Sequence, residues 1–351
     1  MDSSATGGEA PRHLPGFDYL RAAMACVVIV WHTNLLTPPR MPPGDGSFRT
    51  LISLYFLLLP VPTFFMLSSF LFCLKAKGNG KYLGLRLERL AYLYLFWGGL
   101  WFLSHRCISL RLGWGSASVP AVAPPLFGTG FWNSFGFFTS WGSGPYYFFS
   151  SLLVVTALAA LAARLPRMAL WVLLGLSLVF LAGISAFSVT GGSLGFLNID
   201  PIPTNFLALS FAGPLAAHYH RKGWLDPDGE RMQKVLLGAA AAFTVGVILE
   251  QSVFLLFRMD QMTHYTRPAP VLGAILLFLV ALSVRRPPGR AVRFLSDHSL
   301  GMYCTHPLIM TAYGFLSGIE PKGDPVYTLT VLASSILASV ALRRVFSRGL
   351  I

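Results

Sequence analysis

The run FDYLRAAMACVVIVWHTNLLT at residues 17–37 decides how the rest of this 351-residue chain is read. Its length suits one membrane crossing, which takes about 20 mostly apolar residues, yet it carries Asp18, Arg21 and His32. Arg21 and His32 are eleven positions apart, and eleven steps of an α-helix make three turns with about 20° over and rise ~16 Å. The two groups therefore share one face, separated by about half of a ~30 Å hydrocarbon core. Ionisable side chains in lipid are costly, so that face must turn toward the bundle interior or a wet cavity. Spacing alone leaves two readings open: a functional polar stripe, or a snorkelling arginine with an unrelated histidine hydrogen-bonded inside the bundle.

Composition supports a membrane setting. The chain is 54% hydrophobic and 12% charged, against about 25% charged in ordinary soluble domains. The reading is an all-α membrane protein, a single bundle of about ten transmembrane helices, with no appended soluble domain. The net charge of +13 invites a nucleic-acid partner, but its distribution argues otherwise. With spans near 17–37, 50–74, 88–104, 146–163, 168–187, 204–219, 233–257, 268–284, 299–317 and 325–342, 19 of the 27 Lys and Arg lie on one side and 7 on the other. That asymmetry is the positive-inside bias, which puts both termini in the cytoplasm and requires no nucleic acid. The four cysteines, Cys26, Cys73, Cys107 and Cys304, show no disulfide or metal-ligand spacing and read as apolar packing residues; no metal is expected.

Residues 1–16 read as a disordered cytoplasmic N-terminus without a cleavable signal, 17–346 as the ten-span domain, and 347–351 as a tail. TPPRMPPGDG at 37–46 is a turn-rich outer loop, and Pro60 and Pro62 break the second span. Lys75, Lys77, Lys81, Arg86 and Arg89 form a basic cytoplasmic loop entering span three. From Leu112 to Ala163 there are 52 residues without a charge. Within them, 113–145 hold seven glycines, four prolines and eight Phe or Trp, too broken to span, so this segment is expected to cap the bundle at the outer interface or re-enter it. Glu250 is an acid at membrane depth in span seven, placed to neutralise an arginine, to orient a histidine, or to sit at the interface; His264 and Arg267 follow in the next outer loop, and Asp200 lies in the loop between spans five and six.

Several stretches together resemble the acyltransferase-3 family of integral membrane O-acyltransferases. They are D-x-x-R-(x10)-H at Asp18, Arg21 and His32; FFMLSSF at 64–70, with Ser69 where that family usually has glycine; LRLERL at 85–90, giving Arg-x-x-Arg as Arg86 and Arg89; and SLGMYCTHPL at 299–308, with Ser299, Tyr303 and His306. The family's tryptophan-rich start of the fourth span is replaced by Pro145, Tyr146 and Tyr147. The resemblance implies a donor, acyl-CoA with acetyl-CoA foremost, and an acceptor hydroxyl on a cell-surface or lipid-linked glycan such as an exopolysaccharide. It implies a multi-pass plasma-membrane protein, His32 as base or acyl relay in one catalytic set with Arg21 and Asp18, and Arg86 and Arg89 on the coenzyme A phosphates. Ser68 reads either as small-residue helix packing, the first reading, or as a further donor-side contact. His306, Tyr303 and Glu250 stand as additional candidates.

Acyl transfer from a thioester to a hydroxyl needs a base and stabilisation of the oxyanion. Histidine suits the first task near neutral pH, and arginine suits phosphate through bidentate charge-assisted bonds. The alternatives are a glycosylated secondary metabolite as acceptor, a transporter using Arg21, His32 and Glu250, or a non-catalytic scaffold. Transporters often carry internal repeats, and none is visible here. Oligomeric state is not legible.

Overall fold

The structure, a computed structural model, describes residues 14–36, 51–76, 79–112, 146–189, 203–227, 229–257, 267–318 and 321–345. The N-terminus to residue 13, residues 37–46 expected as an outer loop, residues 113–145 expected as a cap, Asp200, His264 and the tail 347–351 lie outside them. Among the described residues there is no strand, and ten α-helices carry the fold: α1 Pro15–His32, α2 Pro60–Ala76, α3 Gly80–Leu112, α4 Tyr147–Ala162, α5 Arg167–Val189, α6 Leu207–Arg221, α7 Glu230–Phe257, α8 Pro268–Ser283, α9 Arg290–Ser317 and α10 Pro325–Val345. Four stretches, Ile52–Ala76, Arg167–Ala186, Glu230–Val253 and Pro325–Val345, are long and apolar enough to cross a membrane.

Local chemistry moves several boundaries from their expected places. α1 starts at Pro15, where a missing amide costs nothing, and its helix stops at His32 rather than running to residue 37. The Thr33 hydroxyl donates to the Ile29 carbonyl at 2.9 Å, Asn34 takes φ 55°, and the Gly323 amide donates to the Thr33 carbonyl at 2.8 Å. Those bonds leave His32 at the very end of its helix. Pro60 and Pro62 do break the second segment: a short π-turn at Ile52–Phe56 precedes them, and α2 begins at Pro60. The expected basic loop is mostly helix. Asn79 accepts from the Tyr82 amide at 3.3 Å, an N-cap that opens α3 early and carries Lys81, Arg86 and Arg89 on helix turns.

α1, α2, α6 and α8 pack at the centre, where α1 touches α2, α8 and α9, and α2 touches α4, α6 and α8. Phe17, Phe70 and Phe278 join three of them, with ring centroids 5.7, 5.5 and 4.8 Å apart. On the rim, the apolar stretch of α7 has 6% of its residues buried and that of α5 28%, against 78% for the segment containing α2. Small residues let backbones approach where spans cross. Gly213 of α6 faces Ser69 of α2, and a Cβ there would overlap the Ser69 side chain and lie 2.9 Å from the Phe70 nitrogen. Ser69, standing where the resembled family usually has glycine, is thus accommodated by a glycine opposite. Gly213→Ala is expected to lower the thermal midpoint through overpacking of about 1–3 kcal/mol. Adding Ser69→Gly recovers part of it, the Phe70 backbone contact remaining. Equal midpoints for wild type and Gly213→Ala would contradict the tight crossing.

Candidate active site

A cavity of about 260 Å³ opens between α1, α2, α3, α4 and α9. Two helix faces build its basic wall. Phe64, Ser68, Leu71 and Lys75 recur at spacings of four, three and four along α2, and Tyr82, Arg86, Arg89 and Leu93 at four, three and four along α3; such spacings put residues on one face. Arg21 closes the wall from α1, so four cations meet in one cavity. Opposite them stand Phe148, Phe149 and Leu152 of α4, with Ser299 and Tyr303 of α9.

The cavity is ready for an anion. The Arg86 Nη2–H donates to Ser68 Oγ at 2.8 Å, which orients the guanidinium. Arg86 Nε is buried and has no hydrogen-bond partner among the described residues. Burial lowers the Arg86 guanidinium from its ordinary value, and the charges of Arg89 and Arg21 push in the same direction while Tyr82 opposes them. An incoming anion relieves the repulsion and supplies the missing acceptor. Arg21 is half-buried and lies 3.9 Å from Asp18; Asp18 in turn accepts from the Ser296 hydroxyl at 2.9 Å. Asp18 does not line the cavity: it sets Arg21 and ties α1 to α9.

His32 is not among the residues lining that cavity. Its ring lies 5.1 Å from His306, centroid to centroid, with the planes 38° apart. His306 is fully buried, and its ring is 5.8 Å from Tyr303, which does line the cavity. Tyr303 also meets Phe148 at 4.9 Å. A continuous run of side chains therefore leads from Arg86 and Ser68 past Tyr303 to His306 and His32. Tyr146, from the departure at the start of the fourth span, donates its hydroxyl to the Cys304 carbonyl at 2.5 Å and so anchors α9 beside His306.

Glu250 stands apart. Its carboxylate pairs with Arg267 at 3.4 Å and accepts from the Ala269 amide at 2.7 Å. Arg267 is fully buried, donates to the Leu54 carbonyl at 2.7 Å and lies over the Tyr55 ring at 5.1 Å. Of the three sequence readings of Glu250, this geometry is the neutralised arginine. Lys75 and Tyr82 line the cavity without having been singled out for it; their signal was the helical spacing to Ser68 and Arg86. Lys322, which begins the turn before α10, bears electrostatically on His32, a proximity no sequence spacing reveals. No group of three or more metal-ligating side chains occurs among the described residues.

Apolar helices around a basic cavity, with paired histidines beyond it, define a membrane protein carrying a binding site inside its bundle. Residues 14–344 match the family model described as an acyltransferase domain, that of acyltransferase-3. The chain belongs to this family and is an acyltransferase. No curated protein and no solved structure matches it.

Proposed function

We propose that this acyltransferase moves an acyl group, acetyl foremost, from cytosolic acyl-CoA to a hydroxyl of a cell-surface or lipid-linked glycan. It would do so as a ten-span plasma-membrane protein with both termini cytoplasmic. The observation that carries the donor assignment is the buried, unsatisfied Arg86 Nε in a cavity with four cations. Diphosphate and phosphate oxygens match that need in charge and geometry. The aromatic wall of Phe148 and Phe149 suits the apolar part of the pantetheine arm, which leads toward Tyr303 and the histidines. Ser68 keeps Arg86 aimed, and Asp18 does the same for Arg21.

His32 then acts on the acceptor side. As the acceptor oxygen bonds to the thioester carbon, an imidazole nitrogen takes the hydroxyl proton; as the C–S bond breaks, that proton passes to the departing sulfur. The products are coenzyme A thiol and the glycan ester. Half-burial at the end of α1 gives His32 access to an acceptor that a mid-helix histidine would lack. The test is mass spectrometry of surface glycans from cells with and without the gene, with purified protein in liposomes given labelled acetyl-CoA and the extracted glycan. Ester-bearing glycan ions that vanish with the gene and return with the protein are expected. Unchanged glycans together with no labelled product would defeat the proposal.

A further inference from the structure

Resting on that acyltransferase reading, we infer that His306 fixes the tautomer of His32 and thereby aims the lone pair that receives the acceptor's proton. His306 Nδ1 lies 3.2 Å from the Met302 carbonyl oxygen. A carbonyl only accepts, so Nδ1 carries the proton, and in a neutral imidazole Nε2 is then the acceptor. That Nε2 is buried with no hydrogen-bond partner among the described residues. Unsatisfied buried polar atoms are rare in folded proteins and call for a reason. The ring beside it belongs to His32, on a different helix, at 5.1 Å.

The inferred bond runs from an N–H of His32, whose ring is the neighbour at 5.1 Å, to His306 Nε2. The bond so formed decides which His32 nitrogen keeps its proton, and the other nitrogen presents a lone pair to the acceptor. The order is carbonyl of Met302, N–H of His306, Nε2 of His306, N–H of His32, free nitrogen of His32. Each imidazole hands the next a defined polarity, the service that a second group performs for the base in hydrolytic triads. During transfer the acceptor proton goes to the free nitrogen of His32 and leaves on the coenzyme sulfur, so His306 exchanges no atom. It is a positioning residue.

The sequence supports the arrangement locally. Pro307 follows His306 inside α9 and cannot donate an amide to the Tyr303 carbonyl, which loosens the helix at this turn. Tyr146 holds the adjoining Cys304 carbonyl, so the loosened turn is still fixed in place.

Two isolated changes separate the roles, measured on full-length protein in liposomes with acetyl-CoA and extracted glycan. In His306→Gln the amide reaches the place of Nε2 and can accept from His32. In His306→Asn it reaches only the place of Nδ1, so it serves Met302 and not His32. We expect His306→Gln to keep kcat within about tenfold and His306→Asn to lose about 100-fold or more, with KM for acetyl-CoA unchanged in both. Equal kcat for the two variants overturns the inference. If both fail to fold, nitrogen NMR of wild-type protein carrying 15N-histidine decides, with His32→Gln assigning the signals: a single neutral His32 tautomer supports the pairing and a mixture overturns it. A wild type that transfers nothing from acetyl-CoA to the extracted glycan defeats the proposed donor and acceptor instead, and the nitrogen spectrum still judges the pair.

Discussion

His32→Gln is expected to insert, fold and bind acyl-CoA as the wild type does, and to transfer acyl groups about 100- to 10,000-fold more slowly. Glutamine keeps volume and a hydrogen-bonding end but cannot take up a proton near neutral pH. Because His32 is outside the lining of the basic cavity, donor binding has no reason to change. Parallel measurement of acetyl-CoA affinity and single-turnover transfer checks this. A variant with the wild-type transfer rate would make His32 a structural histidine and remove the mechanism proposed above.

Arg86→Ala is expected to weaken acyl-CoA binding by about 10- to 150-fold, since hydrogen bonds to charged groups contribute about 1.5–3 kcal/mol. Arg89→Ala should cost less. Arg86 is half-buried and already oriented by Ser68, whereas Arg89 is exposed, where water and salt compete for the phosphate. Arg86→Lys should also bind weakly, because an ammonium cannot reproduce the planar fork. Calorimetric titration with coenzyme A at two salt concentrations checks the ranking. Identical affinities for wild type and all three variants would leave these arginines as topology residues only.

Much of the site could be read before any coordinates, and for a definite reason. Arg86 and Arg89, or Arg21 and Asp18, are neighbours through helical spacing, which sequence reports directly. The apolar helices were legible from hydropathy, and the helix break at Pro60 from the missing amide. What could not be read were meetings between helices far apart in the chain. His32 and His306 come together because α1 packs on α9, and nothing at either position announces the other. Glu250 had three readings by type, an arginine to neutralise, a histidine to orient or an interfacial position, and only the packing of α7 on α8 selected Arg267. The early start of α3 was legible in principle, since Asn79 is an ordinary N-cap residue, but five basic residues between 75 and 89 drew it as a loop.

The Glu250–Arg267 pair has a consequence for biogenesis. α7 leaves the ribosome before α8, and its apolar stretch has only 6% of its residues buried in the finished bundle. It is held where it packs on α8, and a carboxylate at membrane depth resists entry into lipid. Arg267 immediately precedes α8, so the two charges cancel only once the second segment has followed the first. The pair ties α7 to α8 through charges that cancel only when both helices are in place. Until α8 is in place, the Glu250 carboxylate lacks the base, seventeen residues further on, that neutralises it.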